Sequence, residues 1–487
     1  MIKDNLDCFF VQELAEKADE LKRQRREKLK YGVQFTLQDI VDKIQPHTKE
    51  ITNLMIGKIQ KNRLLHLVSS IIEKDADGRI RVPALSESSD KTSPIWVYVG
   101  THWEEIPHVQ IFFDFIRDAC RKMELSEELI DDVSFFAKLK KQVELKLSRY
   151  SEPKENENVV LVNFINGTLE IYRDDMRNFR QHSRKDYFRY VLPYPYDPYA
   201  TCPRFQQFLD EVLPDQSVHT TILEYVGSCL VPWFHVEAVM AFLGNGSNGK
   251  SVLIGVIEKL FGKTCVAHEN IADLTHDEVH RANIEAKLIN VSTENEGRIN
   301  SSAFKTLASG EPISCKKLYS QPYSMTKYAK LLFAFNEMPN IRAGYANMRR
   351  WLVIKFDVCI SEEQADTELG EKLALELPGI MNLVLNSLPD LLKRKKFSKS
   401  DTIKQAVQEL EVRNNPVLQF IEDRCEVNSS ALTKGSELYK DFCEYCRQNN
   451  YKELTNREFY RRLEEKYPFK QHNNQKAFNI RVIRYED

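Results

Sequence analysis

Four short apolar runs stand out from a largely polar chain: Ala238-Val-Met-Ala-Phe-Leu243, Lys287-Leu-Ile-Asn-Val-Ser-Thr293, Lys330-Leu-Leu-Phe-Ala-Phe335 and Trp351-Leu-Val-Ile-Lys-Phe356. Each is bounded by polar residues, is short for a helix and is read as a buried strand. After the first, Ser251-Val-Leu-Ile-Gly-Val-Ile-Glu-Lys-Leu260 spaces its apolar residues as a helix does. Strands interleaved with helical segments predict an α/β domain.

The flanking regions carry other patterns. Ile95 to Trp103 predicts a small β-element, followed by helices over His108–Met123 and Glu127–Arg149. Val159–Ile165 and Thr168–Tyr172 flank Asn166-Gly167, a dipeptide whose turn geometry matches strand twist, and predict a hairpin. The prolines of Tyr190–Tyr199 hold that run extended, since each disfavours helix at the residue before it. Helices over Phe205–Leu213 and Val218–Leu230 lead into the first strand, and amphipathic helices follow the last over Ser361–Lys395. Near the C-terminus, a helix over Glu437–Arg447 turns Leu438, Phe442 and Tyr445 inward. The capping box Thr455-Asn-Arg-Glu458 starts a second helix that buries Phe459 and Leu463 and exposes Arg457, Arg461 and Arg462. Ala477–Tyr485 alternates as a strand. Helix, turn, basic helix and strand suggest a winged helix with Thr455–Lys466 as the candidate recognition helix, read as meeting DNA through Arg457 and Arg461, with protein docking as the alternative. These patterns divide the chain into residues 1–92, mainly helical; 93–215, helical and mixed; 216–360, the α/β core; 361–412, a helical extension; and 413–487, the winged-helix-like domain.

Composition fits a globular protein: 487 residues, 42% hydrophobic and 29% charged. A net charge of −2 excludes a globally basic nucleic-acid coat and leaves room for local basic surfaces. One candidate is the charged helix Leu14–Lys30, which suits DNA, solvent or a neighbouring subunit. No run reaches the roughly eighteen apolar residues of a membrane span, so no membrane partner is expected. The N-terminus does not read as a signal peptide, and ten scattered cysteines fit free thiols in a reducing cytoplasm. Cys443-Glu-Tyr-Cys446 lacks a second pair, and His276-Asp-Glu-Val-His280 has Asp277 where a zincin base would stand, so both are read as structural.

The chemistry centres on Gly244-Asn245-Gly246-Ser247-Asn248-Gly249-Lys250-Ser251, which fits G-x-x-x-x-G-K-[ST] between a strand and a helix. Glycines let backbone N–H groups turn toward phosphate, Lys250 is suited to the β- and γ-phosphates, and the Ser251 hydroxyl to Mg²⁺. ATP and Mg²⁺ are therefore the expected cofactors. Glu294 and Glu296 end the second strand, placed to hold the Mg²⁺ shell and to polarise water, and spacing leaves open which does which. Asn336 ends the third strand as a candidate γ-phosphate sensor, and Arg349-Arg350 precede the fourth as candidate fingers across a subunit boundary. Between them, Lys305 lies on a helix before a hairpin bearing Lys316, Lys317 and Tyr319, residues that suit a single strand's phosphates and bases. Lysines at an exposed hairpin tip equally serve solubility.

In this order the motifs resemble the helicase module of phage and plasmid primase–helicases, a poxvirus-type branch of the superfamily 3 AAA+ helicases. The likeness rests on Gly244–Ser251, Glu294-Asn-Glu296, Lys305-Thr-Leu-Ala-Ser-Gly-Glu311, Asn336-Glu-Met-Pro339 and Arg349-Arg350. Upstream, Phe164-Ile-Asn-Gly-Thr-Leu-Glu-Ile171 and Tyr196–Phe205 look like that family's helical domain. The resemblance implies an AAA+ ATPase core and a homo-hexameric ring threaded by single-stranded DNA, with Arg350 as finger on a neighbour's ATP and hairpin lysines on phosphate. It also implies a replicative DNA helicase of a virus, phage or mobile element acting on forked DNA. Residues 1–92 are too few for the primase domain of many relatives, so a separate primase or polymerase partner is expected. The rival reading is an ATP-switched initiator or loader that assembles on DNA without unwinding it.

Overall fold

The computed structural model describes residues 32–46, 51, 61–82, 94–148, 156–293, 299–318, 320–338, 348–361, 363, 365–413, 415–428, 431–449, 451–472 and 475–483. The helix expected over 14–30, the linker 86–93, and Glu294, Glu296 and Tyr319 lie outside them. The chain divides into two compact units, one of residues 1–156, 163–169 and 179–191, the other of 157–162, 170–178 and 192–487.

In the first unit, helices Lys61–Ala76, Val109–Lys122 and Val133–Leu147 share a core built on Val68, Ile72, Phe112, Ile116, Leu139 and Val143. The expected β-element is a three-stranded antiparallel sheet of Ile80–Arg81, Trp96–Tyr98 and Trp103–Glu105. The single helix expected over Glu127–Arg149 is two, Glu127–Ile130 and Val133–Leu147. Asp132 breaks it: its backbone is extended and its carboxylate accepts from the N–H groups of Ser134 and Phe135, capping a new helix. The hairpin forms at Asn166-Gly167 as Val159–Phe164 and Gly167–Tyr172, with an unanticipated third strand, Arg177–Arg180. Its strands are divided between the two units.

The second unit opens with α1 (Pro203–Val212) and α2 (Gln216–Ser228), then builds a five-stranded sheet from β1 (Val239–Leu243), β2 (Val266–Ala267), β3 (Ile289–Ser292), β6 (Lys330–Phe335) and β7 (Trp351–Lys355). Between β1 and β2 runs α3 (Lys250–Phe261); between β3 and β6 lie α4 (Ser301–Ser309) and the hairpin β4 (Ile313–Cys315) and β5 (Tyr323–Met325). All pairings in the large sheet are parallel, in the order β7-β1-β6-β3-β2. This is a mixed α/β fold. β1 and β6 are buried on both faces, as near-continuous apolar runs in a covered parallel sheet must be. On one face Val239, Ala241, Phe333, Phe335, Trp351 and Val353 pack with Phe304 of α4 and with Ala406 and Leu410 of α5 (Asp401–Arg413).

Behind α2 runs the long helix Leu377–Arg394, joined to it by buried Glu224, whose carboxylate accepts from Arg394 and from the Ser398 N–H and hydroxyl. The helices expected from Ser361 begin later, at Leu369. At the C-terminal end, helices Pro416–Arg424, Gly435–Gln448 and Asn456–Glu464 enclose Phe420, Phe442, Phe459 and Phe478. The strand expected over Ala477–Tyr485 is two segments, Gln475–Phe478 and Ile480–Val482, which join different sheets. The first pairs with Lys470–His472 as a hairpin and the second with Cys425–Val427.

Candidate functional site: a glycine loop and a distant arginine pair

In an open parallel sheet, ligands collect beyond the carboxyl ends of the strands, where the chain reverses its direction of travel across the sheet. β1 holds that position here. From it the chain crosses to the far edge at β2, returns through β3 and β6, and then passes over β1 to β7. The loop Gly244–Gly249 leaves the carboxyl end of β1, and α3 starts at Lys250.

Packing dictates two of its glycines. A Cβ on Gly244 would lie 2.3 Å from Asn248 Nδ2 and 2.8 Å from the Phe356 carbonyl oxygen. Gly249 has φ +81°, and a Cβ there would lie 2.6 Å from Val212 Cγ1 at the end of α1. Asn248 is buried and braces the loop: Nδ2 donates to the Phe356 carbonyl at 3.0 Å, and Oδ1 accepts from the Lys250 N–H at 3.3 Å. The Ser247 carbonyl accepts from the Ile360 N–H at 2.8 Å, so the chain leaving β7 supports the loop twice. Asn245, Gly246, Ser247 and Ser251 remain exposed at the mouth.

Lys250 lies on the floor. Its ammonium donates to the carbonyls of Gly244 (2.7 Å) and Phe335 (2.9 Å) and to Asn336 Oδ1 (3.2 Å). Three acceptors match the three N–H bonds of an ammonium. Partial burial pulls its pKa below the ordinary lysine value, because the charged form has lost water. Lys250 and Asn336, 86 positions apart in sequence, therefore share one hydrogen bond at the carboxyl edge of β1 and β6. β3 ends at the same edge, paired to β6 through Ser292 and Phe333, and Glu294 and Glu296 follow outside the described residues.

The arginines stand elsewhere. Arg349 and Arg350 precede β7, which is parallel to β1 with Trp351 opposite Val239, so they occupy the amino edge of the sheet. At about 3.3 Å per residue, the five residues of β7 separate the two edges by roughly 16 Å, more than an arginine spans. Their environments differ. Arg350 has a side chain 9% exposed and ion-pairs with Glu237 Oε2 at 2.8 Å. Arg349 is 49% exposed and donates to the same oxygen at 3.0 Å. The expectation that Arg350 presents itself to a neighbour is corrected: its guanidinium is enclosed, and Arg349 is the outward one. Glu237 carries no signal in sequence, because its partners lie 112 and 113 positions away.

Lys316 and Lys317 sit at the β4/β5 hairpin as expected, Lys317 exposed and Lys316 half-buried, beside Leu318 at 69% exposure. The base of the hairpin is anchored by Glu285, which accepts from the Tyr323 hydroxyl at 2.7 Å and ion-pairs with Lys317 at 3.9 Å. Lys305 lies half-buried on α4. In the C-terminal domain Thr455 caps the helix Asn456–Glu464. Arg457 is exposed as expected, Arg461 is exposed but paired to Glu458 and Glu465, and Arg462 is largely covered against Glu458, a correction to its expected exposure. Cys443 and Cys446 face that domain's core. His276 and His280 fall on separate short helices, Ile271–His276 and Glu278–Ala282, with His280 bonded to Glu269 at 2.5 Å. Among the described residues, no group of three metal-ligating side chains forms, and no helix is long and apolar enough to cross a membrane.

Taken together, sheet and loop define an α/β protein with a glycine loop at the switch point of a parallel sheet. Family comparison goes further. Residues 87–214 match the model "D5 N terminal like", 413–485 the model "Poxvirus D5 protein-like", and 242–350 a family of unknown function (DUF5906). The chain is 24% identical over 261 residues to "Putative helicase L207/L206" of Acanthamoeba polyphaga mimivirus, covering 47% of this chain and 27% of that protein. It is 25% identical over 259 residues to "Putative helicase 121R" of Invertebrate iridescent virus 3, covering 45% and 27%. The chain thus spans about a quarter of the length of these relatives. Among solved structures, the apo NrS-1 C-terminal region aligns at 12% identity and TM-score 0.41, over 66% of this chain and 96% of that one. D5-type segments on both sides of the glycine loop, together with viral relatives of this kind, support a likeness to the poxvirus-type D5 primase–helicase family.

Proposed function

We propose that this protein is an ATP-dependent DNA helicase of a virus or mobile element, working as a ring of identical subunits on single-stranded DNA. The observation that carries the reading is the hydrogen bond from Lys250 to Asn336 at the mouth of the glycine loop. One side chain suited to phosphate charge and one suited to sensing it meet where the fold places ligands. The residues fit a triphosphate: the loop leaves no room for a Cβ at Gly244 or Gly249, and exposed Ser251 opens the first turn of α3. Mg²⁺ with ATP would be held by Ser251 and, through the strand-end carboxylates, by Glu294 or Glu296; it supplies charge neutralisation at the phosphates. Lys250 would exchange its carbonyl partners for phosphate oxygens, and Asn336 would follow that exchange.

The arginine edge supports a ring. Arg349 lies too far from its own loop to serve it, so the function implied by the family's finger requires a neighbour, as in a head-to-tail interface that closes on itself. The β4/β5 hairpin, with Lys316 and Lys317, is the proposed grip on DNA, and the C-terminal winged-helix-like domain offers Arg457 as its exposed arginine. The pairing of Arg461 and Arg462 with glutamates leaves that helix little net positive charge and favours protein docking over DNA for this domain.

Unwinding of a forked duplex with ATP tests the reading, run beside Lys250→Ala and the double variant Lys316→Ala/Lys317→Ala. Strand separation by the wild type, lost in both folded variants, is the expected result. ATP-dependent DNA binding with no separation by the wild type would overturn the helicase in favour of an initiator or loader.

A further inference from the structure

We propose that Glu237 is a positioning residue for Arg349, holding its guanidinium at the amino edge of the sheet for the nucleotide bound by a second copy of this chain. The inference rests on the ATPase reading above. A single carboxylate oxygen, Glu237 Oε2, receives Arg350 at 2.8 Å and Arg349 at 3.0 Å. The two arginines are not equivalent. Arg350 is enclosed, and it fixes the carboxylate from the protein side; Arg349 is half exposed and is fixed by that carboxylate from the solvent side.

Backbone geometry stiffens the arrangement. The Val239 N–H donates to the Arg350 carbonyl at 2.7 Å, tying the start of β1, two residues after Glu237, to the start of β7. A long side chain carries considerable rotamer entropy, and an arginine anchored through one N–H loses less on meeting an anion with the rest of its fork. Both guanidinium groups meet the same carboxylate oxygen, so the position of one is tied to that of the other. The chain's own loop lies at the opposite edge, so the anion Arg349 meets belongs to another copy.

The test is the ATPase activity of Glu237→Gln and Arg349→Ala, each alone and mixed with excess Lys250→Ala. A Lys250→Ala copy cannot use ATP itself, yet it presents an intact Glu237–Arg349 pair to its neighbour. Misplacing a group by an ångström costs up to about a hundredfold, so Glu237→Gln should lower kcat by about 10- to 100-fold with KM for ATP within about twofold. Arg349→Ala should lower kcat by about a thousandfold or more. Excess Lys250→Ala should raise the turnover of both above their values alone, and Glu237→Asp should recover part of the loss. Thermal melts accompany each variant; if Glu237→Gln unfolds, Glu237→Asp carries the mixing test. Wild-type turnover by Glu237→Gln, or a loss that Lys250→Ala does not relieve while it relieves Arg349→Ala, overturns the positioning role alone. An inactive wild type overturns the ATPase reading, and this proposal with it.

Discussion

A methyl group at Gly244 would meet Asn248 and the Phe356 carbonyl at 2.3 and 2.8 Å, and the second of these is backbone that cannot swing aside. Gly244→Ala should therefore push the loop off β7 and destabilise the protein by about 1–3 kcal/mol, the usual cost of overpacking. Gly249→Ala adds a strained positive φ to a clash with Val212, costing a further conformational term of about 1–3 kcal/mol. Gly246 supplies the control: its φ is +98°, but nothing lies within 4 Å of the added Cβ. Urea unfolding should rank Gly246→Ala nearest wild type, and binding of a fluorescent ATP analogue should be lost in Gly244→Ala and Gly249→Ala. Undiminished binding by Gly244→Ala would show that the loop does not need the brace from Phe356. The loop residues were legible in sequence because glycines and lysine recur at fixed local spacing. Glu237 was not, because nothing local distinguishes a glutamate before a strand from a solvated one.

Among the elements, the C-terminal helix Asn456–Glu464 is tuned by one carboxylate. Arg461 above all, joined by Arg462, holds Glu458 well down, from the ordinary 4.5 to about 2, against the opposing cost of burial. The folded value lies below the unfolded one, so the stabilisation is present above pH 4.5 and is lost as pH falls toward about 2. Solvent screens this partly exposed cluster, so the effect is modest. Wild type should melt higher than Glu458→Gln near neutrality, with the gap closing as pH is lowered through that window. A gap that stays constant through it would assign the difference to packing or the cap instead. This helix also shows what sequence can and cannot specify. Thr455 as cap and buried Phe459 and Leu463 follow from spacing, whereas the covering of Arg462 depends on Glu458 turning toward it. The same limit broke the helix expected over Glu127–Arg149, where Asp132 preferred the cap of a new helix to continuation. The strand Lys330–Phe335 was legible to the residue because both of its faces are buried and its apolar run is uninterrupted.

At the scale of the whole molecule, the parallel sheet imposes a separation that no side-chain adjustment can remove. Every strand runs the same way, so the loop of β1 and the arginines before β7 must lie at opposite edges. On the proposed reading, a chain acting alone would hold its phosphate site with Lys250 but without a second cation from the amino edge, and two chains arranged head to tail would complete one site between them. From this follows a dependence on concentration. Turnover per chain should be low in dilute protein and rise as subunits associate, in step with the assembly seen by sedimentation velocity. Arg349→Ala should assemble over the same concentration range while its turnover stays low, since the outer guanidinium is exposed and little of the subunit's core depends on it. Turnover per chain that is constant across a range where sedimentation reports only monomers would place the whole reaction within one chain. The amino edge of the sheet would then need another explanation for its paired arginines.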